Sequence, residues 1–404
     1  MKMKKVMGLL ILMLLCSMLN PLSISAEAKD IQVKLNNESI EFDVKPVILE
    51  GRTLVPLRAI FEKLNMKVEW DEKTRTVIGD KRGLNLKLPI DSRIAIKNNE
   101  IIEVEVPATI IDGRTMVPVR FIAESTGAKV DWNADNNTVH ISTEIEEVIV
   151  NNAEEFVRAI GPNKKIILKE NQDFNLKGEN IYKVENPYID WNSEFDGREL
   201  VIRDVNNLTI EGAGDVNVNI LVEPRYADVL TFNNCTNIKI ININAGHTPE
   251  KGYCTGGVFV FNDCIDVQIE NTRLFGCGIL GLDLSRVDGF KFTNSIITEC
   301  SDGIMTISDS KNISFVNSKF IKNEGYYTMI KMNNSAATFT QCDFTDNISV
   351  TKHGEPSLFD ISSDEKITIK DSNVLRNKTK IFTNKPDQLE LDNITFDENS
   401  FDEK

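Results

Sequence analysis

Histidine is scarce in this 404-residue sequence: there are three, at positions 140, 247 and 353. No Cys-x-x-Cys pair occurs, so zinc-finger and thioredoxin-type redox sites have no support. The Gly-x-Ser-x-Gly motif that carries the serine nucleophile of many acyl-transfer enzymes is also missing. These absences exclude the commonest sequence signatures of metal, redox and acyl-transfer centres.

Basic residues are outnumbered, with 46 Lys and Arg against 61 Asp and Glu and a formal net charge of -15. This balance argues against nucleic acid and anionic membranes as partners. Beyond residue 28 no stretch approaches the roughly 20 apolar residues of a membrane span. Residues 1–28 differ, because three lysines precede an apolar run and Ala26-Glu27-Ala28 follows it. We predict a signal peptide over 1–28 and a secreted, extracellular or cell-surface-associated protein.

A weak repeat runs from about residue 208 to the end. Apolar–polar–apolar triplets recur, with three successive intervals of 23, 23 and 24 residues, and Asn or a related polar residue follows most of them. Such a period indicates stacked supersecondary units that bury their apolar faces against each other. Short β-branched segments and few helix formers favour a right-handed parallel β-helix over a leucine-rich repeat. The triplets begin at Leu208, Ile238, Val267, Phe290, Ile313, Ala337, Ile367 and Leu389.

A second repeat, offset by 62 residues, lies nearer the N-terminus. The segment 51–60, Gly-Arg-Thr-Leu-Val-Pro-Leu-Arg-Ala-Ile, matches 113–122, Gly-Arg-Thr-Met-Val-Pro-Val-Arg-Phe-Ile. We predict that each proline opens a helix, over 57–64 and 119–125. A hairpin then follows each helix, with Trp70 or Trp132 expected in the core. The predicted fold class is therefore mainly β: a small duplicated α+β module followed by a right-handed parallel β-helix solenoid.

The pattern Gly-Arg-Thr-x-Val-Pro-x-Arg with Val-x-Trp-Asp/Asn resembles the copper amine oxidase N-terminal type of module over roughly 31–142. That resemblance implies a stalk, spacer or wall-contact role. Copper amine oxidases bind copper through three histidines in another domain and use a Tyr-derived quinone. This chain has no His-x-His and no Asn-Tyr-Asp/Glu. We therefore expect no copper and no other metal ligands or cofactor, with a calcium ion left open.

Three segments follow from these patterns: a signal peptide over 1–28, the duplicated module over 29–143, and the solenoid over 144–404. The solenoid begins with a predicted capping helix, with Asn152 as N-cap and Glu155 at the capping-box position. Residues 200–400 resemble the right-handed β-helix families, which include pectate lyases, polygalacturonases, epimerases and surface proteins without known activity. The Asn-Thr-Asp, Asp-Asp and Gly-His-Gly motifs of polygalacturonases and the Trp-Ile-Asp-His motif of pectate lyases are absent.

Residues 245–257 break the regular spacing of the repeat and contain several ionisable side chains. His247, Lys251 and Tyr253 are candidate bases, and Arg225 could hold a uronate carboxylate while a proton next to it is abstracted. Glu223 and Tyr226 of the preceding turn are candidate ligand-binding residues. The alternative is structural, with this loop covering one flank of the solenoid.

A lateral row offers a second candidate site. Thr231, Val260, Asp283, Thr306, Lys331 and Asp360 are predicted to point outward on successive turns, and Asp283, Lys331 and Asp360 are candidate ligand-binding residues. An apolar row beside them could form a groove for a sugar polymer or could lie under inserted loops: Val229, Val258, Gly281, Ile304, Met329 and Leu358. Trp191, Tyr326 and Tyr327 are possible stacking platforms for sugar rings.

Two cysteine pairs fall on adjacent turns of the predicted solenoid: Cys235 with Cys264, and Cys277 with Cys300. Neighbouring strands lie about 4.8 Å apart, which permits a disulfide if the side-chain angles suit it. Buried thiols are the preferred interpretation for both pairs. Asn323, Asn347, Asn377 and Asn399 are predicted to continue the second row.

The most economical interpretation is an exported cell-envelope protein whose β-helix recognises an extended polysaccharide or cell-wall glycan. Two alternatives stay open. One is a polysaccharide lyase or related carbohydrate-active enzyme that uses residues 223–257; the other is a non-catalytic surface spacer. Whether the chain is an enzyme, and which oligomeric state it adopts, are not decided by its sequence.

Overall fold

The structure is a computed structural model that describes residues 30–214, 218–223, 225–248, 255–276, 279–349, 351, 354–362 and 364–401. The predicted signal peptide, Lys251 and Tyr253 lie outside these residues. Buried side chains form one large core between residues 33 and 141 and a second between 150 and 374. Among the described residues, no helix has the length and apolarity needed to cross a membrane.

The N-terminal module contains two four-stranded sheets and one antiparallel five-stranded sheet. Its helices are Leu57–Lys63 and Val119–Ser125, and each follows directly after a proline, as predicted. The strands are Gln32–Leu35, Glu38–Ser39, Val47–Leu49, Arg52–Pro56, Lys67–Asp71, Thr76–Lys81, Leu84–Pro89, Ile94–Lys97, Glu100–Glu103, Thr109–Ile111, Arg114–Pro118, Lys129–Asn133 and Thr138–Ser142.

The two tryptophans of this module are not core residues, so that prediction is wrong. Trp70 is 47% exposed and Trp132 is 40% exposed. Each lies on an edge strand, Lys67–Asp71 or Lys129–Asn133, which pairs with a neighbour on one side only. The helices bury their apolar faces instead, through residues such as Ile60 and Ile122, which are fully buried.

The C-terminal region is a solenoid of parallel strands, apart from an antiparallel hairpin at its start. We call its nine-stranded sheet the front sheet: Ile189–Glu194, Gly197–Arg203, Leu230–Asn233, Phe259–Asn262, Leu282–Ser285, Met305–Ser308, Thr328–Asn333, Ser357–Ile361 and Ile381–Thr383. The first two strands form the hairpin. Each later strand pairs in parallel with the strand of the next coil.

We call the seventeen-stranded sheet the back sheet, because it takes up the remaining strands of each coil. Its strands are Glu146–Val150, Lys164–Leu168, Asp173–Asn175, Asn206–Gly212, Asn219–Val222, Thr236–Ile241, Asn244–His247, Ile265–Glu270, Arg273–Phe275, Asp288–Thr293, Ile296–Thr298, Lys311–Val316, Lys319–Ile321, Ala337–Thr340, Asp343–Thr345, Ile367–Leu375 and Leu389–Asp397. A small two-stranded sheet joins Glu324–Gly325 to Ile348–Ser349, and a 3₁₀ turn spans Pro386–Gln388.

The triplets found in the sequence form one continuous row of the back sheet. Leu208 pairs with Ile238, and the pairing continues turn by turn to Leu389. The Asn row marks the bend that follows each strand, where the backbone has a positive φ, as at Asn271 and Asn294. Asn tolerates this left-handed conformation better than most non-Gly residues. The period in the sequence is therefore the length of one coil.

A ladder of buried asparagines runs through the solenoid, as the sequence predicted. The side-chain amide of Asn347 donates to the carbonyl oxygen of Phe320 at 2.8 Å and to Oδ1 of Asn377 at 2.9 Å. Its own Oδ1 accepts from the backbone N–H and the side-chain amide of Asn323, at 3.1 and 3.0 Å. Because each amide bonds to the coils on both sides, the ladder ties successive turns together.

The N-terminal end of the solenoid is covered by helix Ala153–Ala159, and a short helix spans Glu179–Tyr182. The predicted N-cap is present, because the backbone N–H of Glu155 donates to Oδ1 of Asn152 at 2.9 Å. The Glu155 carboxylate accepts from the backbone N–H of Asn151, one residue before the N-cap, at 2.8 Å. Phe156 is fully buried in the solenoid core. The helix thus shields the apolar end of the stack from water.

Polar contacts join the N-terminal module to the early coils. The Arg82 guanidinium lies 2.8 Å from the carboxylate of Asp266, and the side-chain amide of Asn206 donates to the carbonyl oxygen of Thr126 at 2.9 Å. Gly289 permits the first contact, because a Cβ there would lie 2.9 Å from the Arg82 guanidinium and 2.8 Å from the Asp266 carboxylate. The module therefore rests on the side of the solenoid.

Candidate functional site

The predicted outward row lies in register along the front sheet. Thr231 pairs with Val260, Val260 with Asp283, Asp283 with Thr306, Thr306 with Lys331, and Lys331 with Asp360. Adjacent strands are about 4.8 Å apart, so one side chain of the row occurs at each such step. The row brings the candidate residues Asp283, Lys331 and Asp360 onto one face of the molecule. Thr231, its first member, is buried, so the outward prediction is wrong for that residue.

The apolar companion row is not exposed, so the predicted apolar groove is absent from this face. Its five side chains are fully buried members of the solenoid core: Val229, Val258, Ile304, Met329 and Leu358. The alternation of side chains along a straight strand predicted that these five residues would lie beside the outward row. Val229, Val258 and Ile304 lie at the bend directly before a front strand. Met329 and Leu358 are the second residues of their front strands. All five side chains turn inward. The front face is consequently polar.

Three carboxyl groups meet at the first coils of this face. The backbone N–H of Asp228 donates to Oε2 of Glu199 at 3.3 Å, and the Thr231 hydroxyl donates to Oδ2 of Asp228 at 3.4 Å. Oδ1 of Asp228 accepts from the backbone N–H of Gly257. Asp283 lies close enough to raise the pKa of Asp228. We call Glu199, Asp228 and Asp283 the carboxyl cluster.

Burial perturbs every member of the carboxyl cluster. Desolvation and then the nearby Glu199 carboxylate raise the pKa of Asp228 to about 7. Desolvation also raises the pKa of Glu199 and of Asp283. Carboxyl groups whose pKa values are raised by burial and like charge are typical of acid–base sites. At neutral pH, Asp228 can therefore hold or release a proton.

His247 ends the back strand Asn244–His247 and is buried, with 6% exposure. Its Nε2 lies 2.8 Å from the carbonyl oxygen of Ala227, so this nitrogen carries a proton and donates it. Nδ1 is buried without a hydrogen-bond partner among the described residues. Desolvation lowers the pKa of His247; Asp196 raises it and Arg225 lowers it. The imidazole is therefore neutral at pH 7, with Nδ1 as its only lone pair for accepting a proton.

Arg225 and His247 were predicted to act together, and in the structure the charge of Arg225 lowers the pKa of His247. The loop that carries Arg225 is held by Asp196, whose carboxylate accepts the backbone N–H groups of Arg225 at 2.6 Å and Tyr226 at 3.2 Å. Lys251 and Tyr253, the two other candidate catalytic residues, lie outside the described residues. Their relation to His247 therefore stays a prediction.

The candidate ligand-binding residues of this loop have partners within the protein. Glu223 forms an ion pair with Lys177 at 2.7 Å, in which both side chains are about half exposed. The ring of Tyr226 contacts the ring of Phe195 edge to face, with 5.2 Å between centroids. Phe195 projects from the turn of the front hairpin and is 88% exposed. Tyr226 and Phe195 together offer an accessible aromatic surface.

The remaining aromatic candidates differ in accessibility. Tyr326 and Tyr327 are 48% and 55% exposed and contact each other edge to face at 4.6 Å. Trp191 packs against the solenoid core and contacts Tyr182 at 5.0 Å. The two tyrosines are accessible to a ligand, whereas Trp191 is mostly engaged by the protein.

The cysteines divide into two kinds. Cys235 and Cys264 are buried free thiols, as expected, and Cys342 is a third. Burial raises the pKa of the Cys342 thiol to about 12 and raises that of Cys235 well above its usual value. Cys300 is disulfide-bonded, which corrects the expectation of a thiol there; its partner lies outside the described residues. Among the described residues, no three His, Cys, Asp or Glu side chains are grouped as metal ligands.

Sequence reasoning missed Glu199 and Phe195 and gave Asp228 no role. Glu199 and Phe195 belong to the front hairpin, which precedes the repeat and pairs in antiparallel fashion. No periodic signal could therefore place them beside residues 226–228. Asp228 lies within the turn that drew attention for its ionisable residues, but its burial depends on the coil that follows it. In the sequence, the hydrophobic spacing of the hairpin strands was the only available signal for the positions of Glu199 and Phe195.

Comparisons with known families agree with this architecture. Residues 34–141 match the family model described as "Copper amine oxidase N-terminal domain", and residues 219–401 match the one described as "Right handed beta helix region". No curated protein matches the sequence significantly.

Several solved structures are similar to the solenoid. A pectate lyase from Paenibacillus sp. 0602 has 10% identity and a TM-score of 0.46, covering 63% of this chain and 78% of its own. An alginate lyase from Paenibacillus sp. str. FPU-7 has 10% identity and a TM-score of 0.31, covering 62% and 99%. A surface adhesin of Streptococcus pneumoniae has 10% identity and a TM-score of 0.25, covering 64% and 84%. Scores this low carry no argument about activity, which has to come from the residues of this chain.

Proposed function

We propose that this is an exported cell-envelope protein whose solenoid recognises an extended polysaccharide or cell-wall glycan. The matches of residues 34–141 to the copper amine oxidase N-terminal domain model and of residues 219–401 to the right-handed β-helix model support this proposal. The N-terminal module serves as a stalk or wall contact. The observation that carries the proposal is the outward row of the front sheet, which repeats polar side chains at the spacing of the coils.

A linear polymer suits this surface for a geometric reason. From Asp283 to Asp360 the row offers one polar side chain at each step of about 4.8 Å, and a polysaccharide likewise presents polar groups along its length. Asp283, Thr306, Lys331 and Asp360 supply both donors and acceptors for sugar hydroxyls. The stacked coils keep these side chains on a rigid sheet, which limits the entropy lost on binding. Export is supported by the sequence of residues 1–28 alone.

A carbohydrate-active enzyme is the second candidate, and the carboxyl cluster favours it. Asp228, with its pKa of about 7, suits a proton donor to a leaving glycosidic oxygen. Glu199 or Asp283 would then act as the base or nucleophile, as in glycosidases that use two carboxyl groups. In a lyase, the neutral His247 would act as the base beside Arg225. The two chemistries differ in product, because hydrolysis yields new reducing ends only, whereas β-elimination also yields unsaturated ends.

The proposal is tested by measuring binding of the mature protein to neutral, cationic and anionic polysaccharides, with scoring of reducing and unsaturated ends. Lys331→Ala should weaken binding roughly five- to tenfold, about 1 kcal/mol. Lys291→Ala is the matched control, because Lys291 is an exposed lysine of the back sheet. Equal effects of the two variants, or no binding to any polymer, would contradict the proposal. Product formation that is lost in Asp228→Asn would establish the enzyme instead.

A further inference from the structure

The N-terminal module carries two grooves that are built from equivalent residues of its two copies. The first groove has a volume of about 530 Å³ and the second a volume of about 630 Å³. Most residues that line one groove have their counterparts, 62 positions away, in the lining of the other. The first groove is lined by residues within 51–53, 118–124 and 130–132, and the second by residues within 113–115, 56–62 and 68–70.

The two grooves are related by a pseudo-twofold axis. Val55 pairs with Val117 in antiparallel strands, and these two valines are counterparts in the two copies of the repeat. A residue that pairs with its own counterpart in this way lies on the axis. Each groove therefore takes one wall from each copy: the helix and hairpin of one copy, and the Gly-Arg-Thr segment of the other.

Exposed side chains of the grooves recur in both copies, whereas an exposed turn nearby has diverged. Trp70 of the second groove corresponds to Trp132 of the first, and they are 47% and 40% exposed. Arg58 of the first helix recurs as Arg120 of the second, and both are exposed. By contrast, the exposed turn 72–75 reads Glu-Lys-Thr-Arg in the first copy and Ala-Asp-Asn-Asn in the second. Exposed side chains contribute little to stability, so their recurrence in the grooves points to a shared ligand.

An ion pair between the two copies lies in each groove. The Arg52 guanidinium pairs with the Glu105 carboxylate in the first groove, and the Arg114 guanidinium pairs with the Asp43 carboxylate at 2.5 Å in the second. In total, two arginines and three acidic residues line the first groove, and two arginines and four acidic residues line the second. The excess of negative charge in both grooves disfavours an anionic polymer.

The walls of the grooves suit a sugar better than a peptide. Trp70 and Trp132 lie on edge strands, and an edge strand can pair with an added peptide strand. The charged side chains of Lys67 and Glu69 on the strand of Trp70 disfavour such pairing. An exposed indole face can instead stack on the C–H face of a sugar ring, and arginine and carboxylate groups can bond to sugar hydroxyls. Each groove has room for about two or three sugar units.

We propose that each groove binds a glycan segment without anionic groups, with one sugar ring stacked on Trp132 in the first groove and on Trp70 in the second. This inference rests on the wall-contact role proposed for the module, and it adds two sites and a ligand class to that role. Because both grooves present the same kinds of side chain, one glycan occupies both. The module therefore binds two glycan segments independently of the front sheet.

The test counts binding equivalents of the mature protein by calorimetry. The probes are N-acetylchitotetraose and cellotetraose as neutral glycans, tetragalacturonate as an anionic glycan, and an alternating Val-Lys hexapeptide. The variants are Trp70→Ala, Trp132→Ala and the double variant. Ile101→Ala is the matched control, because Ile101 is 77% exposed on the same module and lines neither groove. Intrinsic fluorescence is a second readout, since Trp70 and Trp132 are two of three tryptophans and the third, Trp191, packs against the solenoid core.

Each single variant should bind one equivalent of a neutral tetrasaccharide fewer than the wild type, and the double variant two fewer. Saturation with this probe should change the fluorescence of the wild type and leave that of the double variant unchanged. Trp132→Phe should keep its equivalent with an affinity about three- to tenfold weaker, because a smaller ring still stacks on the sugar. Ile101→Ala should behave as the wild type. Circular dichroism confirms that the variants are folded.

Three outcomes would overturn the inference and leave glycan recognition by the solenoid standing. They are glycan binding that Lys331→Ala weakens but the tryptophan variants do not, tightest binding of tetragalacturonate at the tryptophan-dependent sites, and tightest binding of the hexapeptide at those sites. If no glycan binds at all, both the inference and the proposed function fail. Concentration-dependent dimers that Trp70→Ala or Trp132→Ala abolishes would identify the grooves as a contact between two copies, and would also overturn the inference.

Discussion

Replacement of Asp228 by Asn should remove the part of the pH dependence of stability that the Asp228 carboxyl causes. The folded protein raises the pKa of this carboxyl from 3.8 to about 7. Below about pH 4 the carboxyl is protonated in both the folded and the unfolded states. Between about pH 4 and 7 only the folded state keeps the proton, so the free energy of unfolding falls as the pH rises. Above pH 7 the folded protein carries a charge that its surroundings disfavour.

The magnitude follows from the pKa change. At 1.36 kcal/mol for each pKa unit, a rise from 3.8 to about 7 corresponds to about 4 kcal/mol. Asp228 retains some contact with solvent, so we expect Asp228→Asn to gain about 2–4 kcal/mol over the wild type at pH 8. At pH 4 the two proteins should be nearly equal in stability. The amide oxygen of Asn can still accept from Gly257 N–H, and its NH2 group, in the place of Oδ2, can donate to the Thr231 hydroxyl oxygen.

Urea denaturation at several pH values between 4 and 8, followed by far-UV circular dichroism, measures the effect. Asp346→Asn is a control of opposite sign. Its ion pair with Arg376 lowers the pKa of Asp346, so the stability it contributes is present at neutral pH and lost as the pH falls. Because the pair is exposed, this variant should lose about 0.5 kcal/mol at pH 7. Parallel curves for wild type and Asp228→Asn across the whole range would refute the reasoning.

Three further predictions concern the scaffold. Asn347→Ala should destabilise the solenoid by about 3 kcal/mol in urea, because several buried hydrogen-bonding groups lose their partner; a loss below about 1 kcal/mol would contradict the ladder's role. Arg82→Ala should leave global stability nearly unchanged yet speed proteolysis between the module and the solenoid, whereas Arg75→Ala, which breaks a pair inside the module, should not. Cys235 and Cys264 should resist thiol reagents until the protein unfolds and then both react without reduction; labelling in the native state would contradict their burial.

Much of the scaffold can be predicted from the sequence because each coil of a solenoid repeats the same local pattern. The triplets from Leu208 to Leu389 pair in the order that their spacing predicts. The ladder that includes Asn347 and the N-cap Asn152 were likewise predictable, since each depends on residues within one coil or on the coil period.

The candidate site was only partly predictable, and Trp70 shows a related limit. Its apolar side chain suggested a core residue, but its strand lies at a sheet edge, which no local pattern reveals. The apolar row with Val258 and Ile304 was assigned outward by strand alternation, yet the chain bends at these two residues and their side chains turn into the core. Alternation holds only within a straight strand.

The sequence by itself determined the coil period, the stacking register and the row that holds Asp283, Lys331 and Asp360, because parallel stacking converts equal spacing into adjacency. Tertiary structure alone decided that Glu199 lies beside Asp228 and Phe195 beside Tyr226. Those contacts join a hairpin outside the repeat to the first regular coil. Burial and charge at such a junction arise from the packing of separate segments, and it is there that the pKa of Asp228 is raised.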